Sequence, residues 1–581
     1  MFDKYSLSQK IWQPKNHDER LELYLSQKFQ ISIFLSKLLI LRNINETNIN
    51  EYLKPNLKYT LPNPFLLKDM NKSINRLIKA IQNKEKIGII ADYDVDGSTS
   101  AGILYNFLYK FTSKLILKIP HRLIEGYGPN IRIMDEMKKE KVSLLFTLDC
   151  GTTAFEIIDN SKYSKIDTII IDHHLSETFL PKVYSIINPN RYDESNNFNQ
   201  MAAVGVTFLF LMALRKKMRE KNFFNIYKEP NLLNYLDLVA LGTICDVVKL
   251  TDYNRIFVKK GMELIKNRKH IAISKMIDSS KINYEPSSLD LAFTIGPKLN
   301  AASRVGDSSL ASKFLIEKDI NELEIIAKKL NLLNEKRKLI EEQIFEKAVK
   351  QAEKQKDSNY VLVYGEDWHN GVLGIIASRI INIYNKPTIV ISFNNKLGVG
   401  SARSIKNIDL GQLILNAKNI NILDSGGGHS MAAGLKINKK NLNQFIIFLD
   451  THFTKYKSEF FSKIEYYDTD LSVNQLNEEL LEIIEQMEPY GSGNPEPIFF
   501  IKDLKIENIK IIKEKHILLF FKNDFGNNYK GISFNCINTK IGDYLINYNK
   551  FKFNFICSIK KDNYSDRQKL QIIILDVFII N

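Results

Sequence analysis

The sequence predicts an α/β protein: a parallel-sheet domain, a long connecting helix, a second α/β domain, and a small β-barrel or sandwich at the C-terminal end. Three observations carry this. Short β-branched runs end in acidic or Gly-rich sequence: Ile87-Gly88-Ile89-Ile90 before Asp92, Leu144-Leu145-Phe146 before Asp149, and Ile169-Ile170-Ile171 before Asp172. Helix-length segments separate them, which is the pattern of buried parallel strands. No Gly or Pro occurs between Gly306 and Gly365, and from Phe499 onward short apolar-aromatic stretches follow one another.

Taken in order, residues 1–75 form a mixed segment with a Pro-containing stretch from Pro55 to Pro64, expected to pack on the first domain. Residues 76–318 form that domain, and its three acidic strand ends would converge on one crevice, because ligands bind at the carboxyl ends of parallel strands. Residues 319–355 are the connecting helix: Asp319 and Glu322 make a capping box, and Leu323, Ile326, Leu330, Leu333, Ile340 and Ile344 form an apolar stripe interrupted by Arg337. A coiled-coil dimer is the rival use of this stripe, but the seam is short and broken by a charge. Residues 356–465 form the second domain, with strands at Val361-Leu362-Val363 and Thr388-Ile389-Val390-Ile391, a helix from Leu373 and a close at Gly426-Gly427-Gly428. Residues 466–581 open with a helical segment from Leu471 to Met487 and continue as short strands.

Composition narrows the class. The 581 residues include 81 Lys+Arg against 66 Asp+Glu, a net charge of +15. That length exceeds one core and calls for about three or four domains. With 44% hydrophobic and 25% charged residues the chain is neither disordered nor fibrous. Four cysteines, Cys150, Cys245, Cys536 and Cys557, with no CxxC pair, argue against a disulfide framework, a zinc finger or a thioredoxin-like site. The N-terminal residues lack signal-peptide order and no run of about 18 apolar residues occurs, so a cytoplasmic, non-membrane protein is expected. Surplus positive charge suits a polyanionic partner, although the richness in Lys, Asn and Ile is also what a drift of genome composition produces.

The sharpest signal is Ala91-Asp92-Tyr93-Asp94-Val95-Asp96-Gly97-Ser98-Thr99-Ser100. Carboxylates at i, i+2 and i+4 after a strand repel one another unless a cation sits among them, and hard divalent ions prefer such oxygen ligands. The spacing lacks the remaining ligands of a calcium-binding EF-hand. Asp149, in Leu148-Asp149-Cys150-Gly151, repeats the grammar of strand, carboxylate and turn; Asp172-His173-His174 adds the only adjacent histidine pair, and Asp246 follows an apolar helical stretch. Five or more carboxylates and an imidazole exceed the needs of one cation. They suit two ions about 3.5–4 Å apart, which activate water and stabilise the leaving oxygen of a phosphoryl displacement. GxxxxGK[ST] is absent, so no P-loop is indicated.

These four segments resemble the metal motifs of the DHH phosphoesterase family. Further segments resemble one branch of it, the bacterial exonucleases specific for single-stranded DNA: Trp368 to Arg379, Gly400-Ser401-Ala402-Arg403-Ser404, Gly426 to Gly434 and Pro489 to Pro497. The resemblance runs from about residue 60 onward. It implies a DHH domain, a long helix, a DHHA1-type domain that closes over the DNA, and an OB-like domain that grips the strand. It also implies two Mn²⁺ or Mg²⁺ ions and 5′→3′ hydrolysis of single strands to 5′-mononucleotides in recombination and repair. The implied partners are a single-strand-binding protein and a RecQ-type helicase, and the implied state is a monomer.

By position, Asp94, Asp96, Asp149, His173 and Asp246 match metal ligands. Asp92 and Asp172 belong to the motifs, with direct ligation and indirect support both open; Asp92 is grouped with the catalytic residues and Asp172 with the ligands. His174 matches a contact to the reacting phosphate. Ser401, Arg403, Ser404, Gly427, Gly428 and His429 match DNA- and phosphate-handling positions, and Arg304 a DNA-backbone contact. Ala91, Asn407 and Tyr490 depart from the family pattern, where Gly, Gly and Phe are frequent. Two other readings stand beside this one: a DHH-type phosphodiesterase of short oligonucleotides or cyclic dinucleotides, and a non-catalytic scaffold, against which the intact acidic and histidine positions argue.

Overall fold

The computed structural model describes residues 5–461, 463–502, 504–522, 528–562 and 570–580. They divide into two compact units, one spanning 62–248 and 260–461, the other formed by the N-terminal residues to 61, 249–259 and the residues from 463 onward.

The larger unit begins with the anticipated parallel sheet. Its strands, in spatial order, are Leu115–Lys118, Ile87–Ala91, Leu144–Leu148, Asp167–Ile171 and Ser185–Ile187, all parallel. The three central strands are almost wholly buried, which is why they read as continuous apolar runs rather than alternating ones. Their carboxyl ends carry Asp92, Asp149 and Asp172 in adjacent positions. Helices Val95–Leu108 and Ala203–Glu220 pack on the sheet, and Leu236–Cys245 packs against those two helices. The connecting helix runs from Ile320 to Ala352, its N-terminus capped by Asp319, which accepts the amides of Asn321 and Glu322. Its buried residues include Leu323, Ala327, Leu330, Asn334, Glu341, Ile344, Ala348 and Ala352. The stripe is therefore satisfied within the chain, against helix Gly296–Val305 at one end and the second domain at the other.

The second sheet is mixed, in the order Ser425–His429, Ala432–Asn438, Leu397–Arg403, Thr388–Asn394 and Val361–Glu366. Only its last pair is parallel. The glycine cluster is not a turn: Gly426–Gly428 lie in the edge strand of a hairpin whose tip is Ser430-Met431. An edge strand has one row of unpaired amides, and the missing side chains leave that row open.

In the other unit, seven strands form one mixed sheet, with Thr469–Leu471 and Lys505–Ile512 at its two edges. Leu471 ends a strand, so the expected helix shortens to Glu478–Gln486. Phe499, Phe521 and Phe555 are fully buried and serve the core rather than a base-stacking surface. Of the N-terminal segment 1–75, expected on the first domain, the part to residue 61 contributes Leu35, Leu38, Leu39, Ile49 and Tyr52 to this same core, whereas residues 62–75 belong to the larger unit, as expected. The segment's strand Ile11–Pro14 pairs with Ile464–Tyr467.

The stretch from Pro489 to Pro497 has a structural task here. Asn494 donates to the carbonyls of Met487 and Pro489 and accepts from the Tyr52 hydroxyl at 2.8 Å. Arg255 lies 3.6 Å from the centre of the Tyr52 ring and donates to the carbonyls of Tyr52 and Glu488. Among the described residues no helix is long and apolar enough to cross a membrane. Arg255→Ala removes the stacking and strands these carbonyls, a loss of about 2 kcal/mol that lowers the calorimetric transition of this unit by roughly 4–8 °C. Arg255→Lys, which keeps the charge without the planar fork, loses nearly as much.

Candidate active site

Asp92 ends the strand Ile87–Ala91 and is 3% exposed. Two residues later Asp94 caps helix Val95–Leu108, accepting the Gly97 amide at 3.0 Å. A Cβ at Gly97 would stand 2.4 Å from the Asp92 carbonyl oxygen, so only glycine lets the chain fold back this tightly. Asp96, in the first turn, accepts the amides of Ala203 and Val204 at 2.7 and 2.8 Å. It thereby caps a second helix, whose own cap residue Ala202 offers no side-chain acceptor.

Asp149 adopts a left-handed backbone (φ +59°) and is followed by Gly151 at φ +114°. Asp172 has both oxygens engaged: Oδ1 accepts the amides of His173 and His174 and faces His174 Nδ1 at 2.8 Å, while Oδ2 accepts the Thr152 amide. Asp246 terminates helix Leu236–Cys245.

The side chains converge. His173 Nε2 lies 3.3 Å from Asp149 Oδ1, 3.6 Å from Asp246 Oδ2 and 3.8 Å from Asp96 Oδ2. Three groups, Asp149-His173-His174, Asp96-His173-Asp246 and Asp92-Asp94-Asp149, each bring their ligand atoms within 4.8 Å of one another. Among them Asp92 Oδ1, Asp149 Oδ1, Asp246 Oδ2 and His173 Nε2 are buried without any hydrogen-bond partner. Buried polar atoms of this kind are costly to leave unpaired, and four aimed at one space describe a receptacle for cations. Asp172 belongs to none of the three groups; its oxygens accept from Thr152, His173 and His174, so in this structure it supports the histidine pair.

The electrostatics agree. Burial, then the neighbouring carboxylates, pushes Asp92 and Asp149 far above the carboxylate range, Asp96 to about 7 and Asp246 to about 9. These acids hold their charges poorly without added positive charge. Burial, reinforced by His174, lowers His173 to about 4 and keeps it a neutral ligand. For His174 burial acts downward, but the Asp172 hydrogen bond and charge outweigh it and raise the ring to about 9. Burial also opposes ionisation of Asp172, and the His174 contact reverses this, holding the carboxyl below its ordinary range.

Beyond the acidic crevice stand arginines. Burial, then Arg122, Arg337 and Arg403, lowers Arg304 to about 9. Among the described residues Arg122, Arg304 and Arg403 form no ion pair with a carboxylate. Arg304 donates to the Gly371 carbonyl and Arg403 to that of Ala402, with Ser401 Oγ at 3.5 Å. A Cβ at Gly371 would meet the Arg304 carbonyl at 2.3 Å, and one at Gly374 would meet Arg403 at 3.0 Å. The two glycines of the Trp368–Arg379 segment thus admit the arginines. A cavity of about 380 Å³ opens beside Cys245, Asn300, Arg304, Arg337 and Lys338.

Other assignments separate. Ser404 is buried and donates to the Ile408 carbonyl, so its hydroxyl closes a loop and is not available to a phosphate. Asn407 in that loop takes φ +72°, the conformation for which glycine is frequent there. His429 stands exposed beside the hairpin tip with Gly427 and Gly428 on the same edge strand, and no hydrogen bond ties it to the carboxylates. At Gly428 a Cβ would meet the Ala432 carbonyl at 2.3 Å, whereas Gly427 is open.

Sequence reasoning missed Tyr127, Arg122, Arg337 and Asn188. Tyr127 donates to the Asp149 carbonyl at 2.6 Å and lies 3.0 Å from His174 Nδ1. Its flanking Gly126 and Gly128 both have positive φ, and that Gly-Tyr-Gly pattern was the available signal. Asn188 holds Thr152 and the His174 carbonyl. Asp172→Asn removes the charge that raises His174, so an NMR titration of the metal-free variant places the His174 pKa at or below 6.5 instead of about 9.

Residues 86–243 match the model of the DHH family, N-terminal domain; 357–455 match the DHHA1 domain and 467–576 the RecJ OB domain. The chain is 33% identical over 494 residues to a single-stranded-DNA-specific exonuclease RecJ of Haemophilus influenzae, covering 83% of this chain and 85% of the relative. It is 30% identical to that of Salmonella typhimurium, covering 88% and 90%. The crystal structure of RecJ in complex with Mn²⁺ from Thermus thermophilus superposes with a TM-score of 0.81 at 23% identity, covering 98% of this chain and 79% of the other.

Proposed function

On the premise that the chain belongs to the RecJ family of the DHH phosphoesterases, we propose that it is a two-metal-dependent exonuclease. It hydrolyses single-stranded DNA from the 5′ end and releases 5′-mononucleotides in recombination and repair. The observation that carries this reading is the pairing of four orphaned ligand atoms with a group of arginines that no carboxylate neutralises.

Asp94, Asp96, Asp149, His173 and Asp246, with Asp92 beside them, would hold two Mn²⁺ or Mg²⁺ ions. Bound there, such ions supply an ionised water at neutral pH and offset charge on the phosphate. The chain's own residues do the rest. Arg304, Arg403 and Arg122 bind phosphate oxygens and orient the strand, aided by Ser401 and the glycine edge strand of Gly427 and Gly428. His429 at the exposed edge meets the incoming strand. His174 is cationic at neutral pH, with Nδ1 engaged by Asp172 and Tyr127. Its Nε2 proton remains free to donate to an oxygen of the scissile phosphate as negative charge builds. Asp172 and Tyr127 are positioning residues for that ring. Single-strand-binding protein and a RecQ-type helicase are the partners the family implies.

The founding test uses 5′-phosphorylated single-stranded and duplex DNA, labelled near one end, with Mn²⁺, Mg²⁺ or chelator. Metal-dependent release of mononucleotides from the 5′ end of single strands is expected; cleavage of di- to pentanucleotides alone would transfer the protein to the short-oligonucleotide phosphodiesterases. Asp149→Asn lowers turnover at least about 10³-fold, while DNA affinity, read by fluorescence anisotropy, stays within about threefold. Arg403→Gln acts mainly on KM, and His174→Gln mainly on kcat, by roughly 10²-fold.

A further inference from the structure

A second concave surface lies at the other end of the catalytic sheet. The cavity, about 440 Å³, is walled by Ile81, Phe111, Phe223 and Tyr227 and rimmed by Lys84, Lys114 and Lys221. Lys84 precedes the strand Ile87–Ala91 and Lys114 the strand Leu115–Lys118, so the cavity opens where the strands begin. Asp92 and Asp149 lie where they end, roughly 16 Å of strand away. This face is therefore no part of the crevice that handles the reacting phosphate.

Its chemistry is specific. Ile226 projects at the rim, 83% exposed, beside an apolar hollow. Lys84, Lys114 and Lys221 have no carboxylate partner among the described residues; Lys114 Nζ donates only to the Lys84 carbonyl. The basic zone continues into Lys110, Lys228 and Lys318, which also lack ion pairs among the described residues. Burial, then Lys318 and Lys228, lowers the Lys110 ammonium, a sign of like charges gathered without compensation. Three lysines at the rim of an apolar hollow, with three more beyond it that pair with no carboxylate among the described residues, complement a ligand that is anionic outside and apolar at one point.

A nucleic acid strand fits less well. Phe111 and Phe223 are each 8% exposed, which leaves little ring surface on which a base could stack. The rim also carries no arginine, the side chain that grips phosphate in a fork. We propose that this face docks an acidic segment of a partner protein, with one apolar side chain of that segment in the cavity and its carboxylates on the lysines.

The probe is a fluorescein-labelled heptapeptide of three aspartates, one phenylalanine and three aspartates, titrated with the full chain and read by anisotropy. Saturable binding is expected, weakened at least tenfold by Lys84→Glu with Lys114→Glu, by Ile226→Asp, or by serine in place of the peptide's phenylalanine. All these chain positions are exposed, and both variants keep wild-type hydrolysis of single-stranded DNA. No saturable binding, or equal binding of the serine peptide or by the variants, overturns the proposal. So does loss of single-stranded-DNA affinity in the lysine variant with peptide binding unchanged, which gives the face to nucleic acid. Self-association abolished by Ile226→Asp overturns it equally, in favour of a second copy of the chain.

Discussion

Parallel strands that end along one edge deliver their terminal residues to one line, and here those residues are acids. Asp92, Asp149 and Asp172 come from three adjacent strands, and Asp94, Asp96 and Asp246 crowd in from helix ends. Mutual repulsion in a buried setting is the constraint to which the surrounding structure responds. Part is answered internally: the first amides of helix Ala203–Glu220 receive Asp96, and Thr152 and the histidine pair receive Asp172. The rest is left open at Asp92, Asp149 and Asp246, whose free oxygens share the space with His173 Nε2. That unmet charge is what makes the crevice a candidate cation site rather than a rigid acidic network.

Arg122 reaches Asp92 only through its field, and among the described residues no arginine forms an ion pair with these acids. Arg304 and Arg122 come from the first domain, Arg337 from the connecting helix and Arg403 from the second. Their meeting depends on the connecting helix, where buried Glu341 receives both Arg337 and, at 3.0 Å, Arg379 of the following domain. The close approach of Gly371 to Arg304 fixes the same juncture. One seam thus places a group of arginines next to the acidic crevice.

The two histidines show how identical side chains acquire opposite states. His173 is buried beside a second cation and stays neutral; His174 gains Asp172 and becomes cationic. Adjacent in sequence, they are told apart only by what the fold sets against each ring.

The carboxylate motifs, the histidine pair, the strand ends and the long helix were legible in the sequence, because each depends on local spacing: a strand places its last residue, and an unbroken apolar stripe defines a helix. The Asp172 support role, the loop-closing Ser404 hydroxyl, and the parts of Tyr127, Arg122 and Arg337 were not legible. Each is defined by a partner distant in sequence, as with Tyr127 and His174 or Arg304 and Gly371. Residues to 61 of the N-terminal segment likewise carry an apolar face that the sequence alone could not direct, and only the tertiary structure assigned it to the C-terminal core. Spacing along the chain determined which chemistry is present, whereas burial and long-range pairing decided which atoms remain free to perform it, because a donor already spent in a hydrogen bond has the same sequence as one that is not.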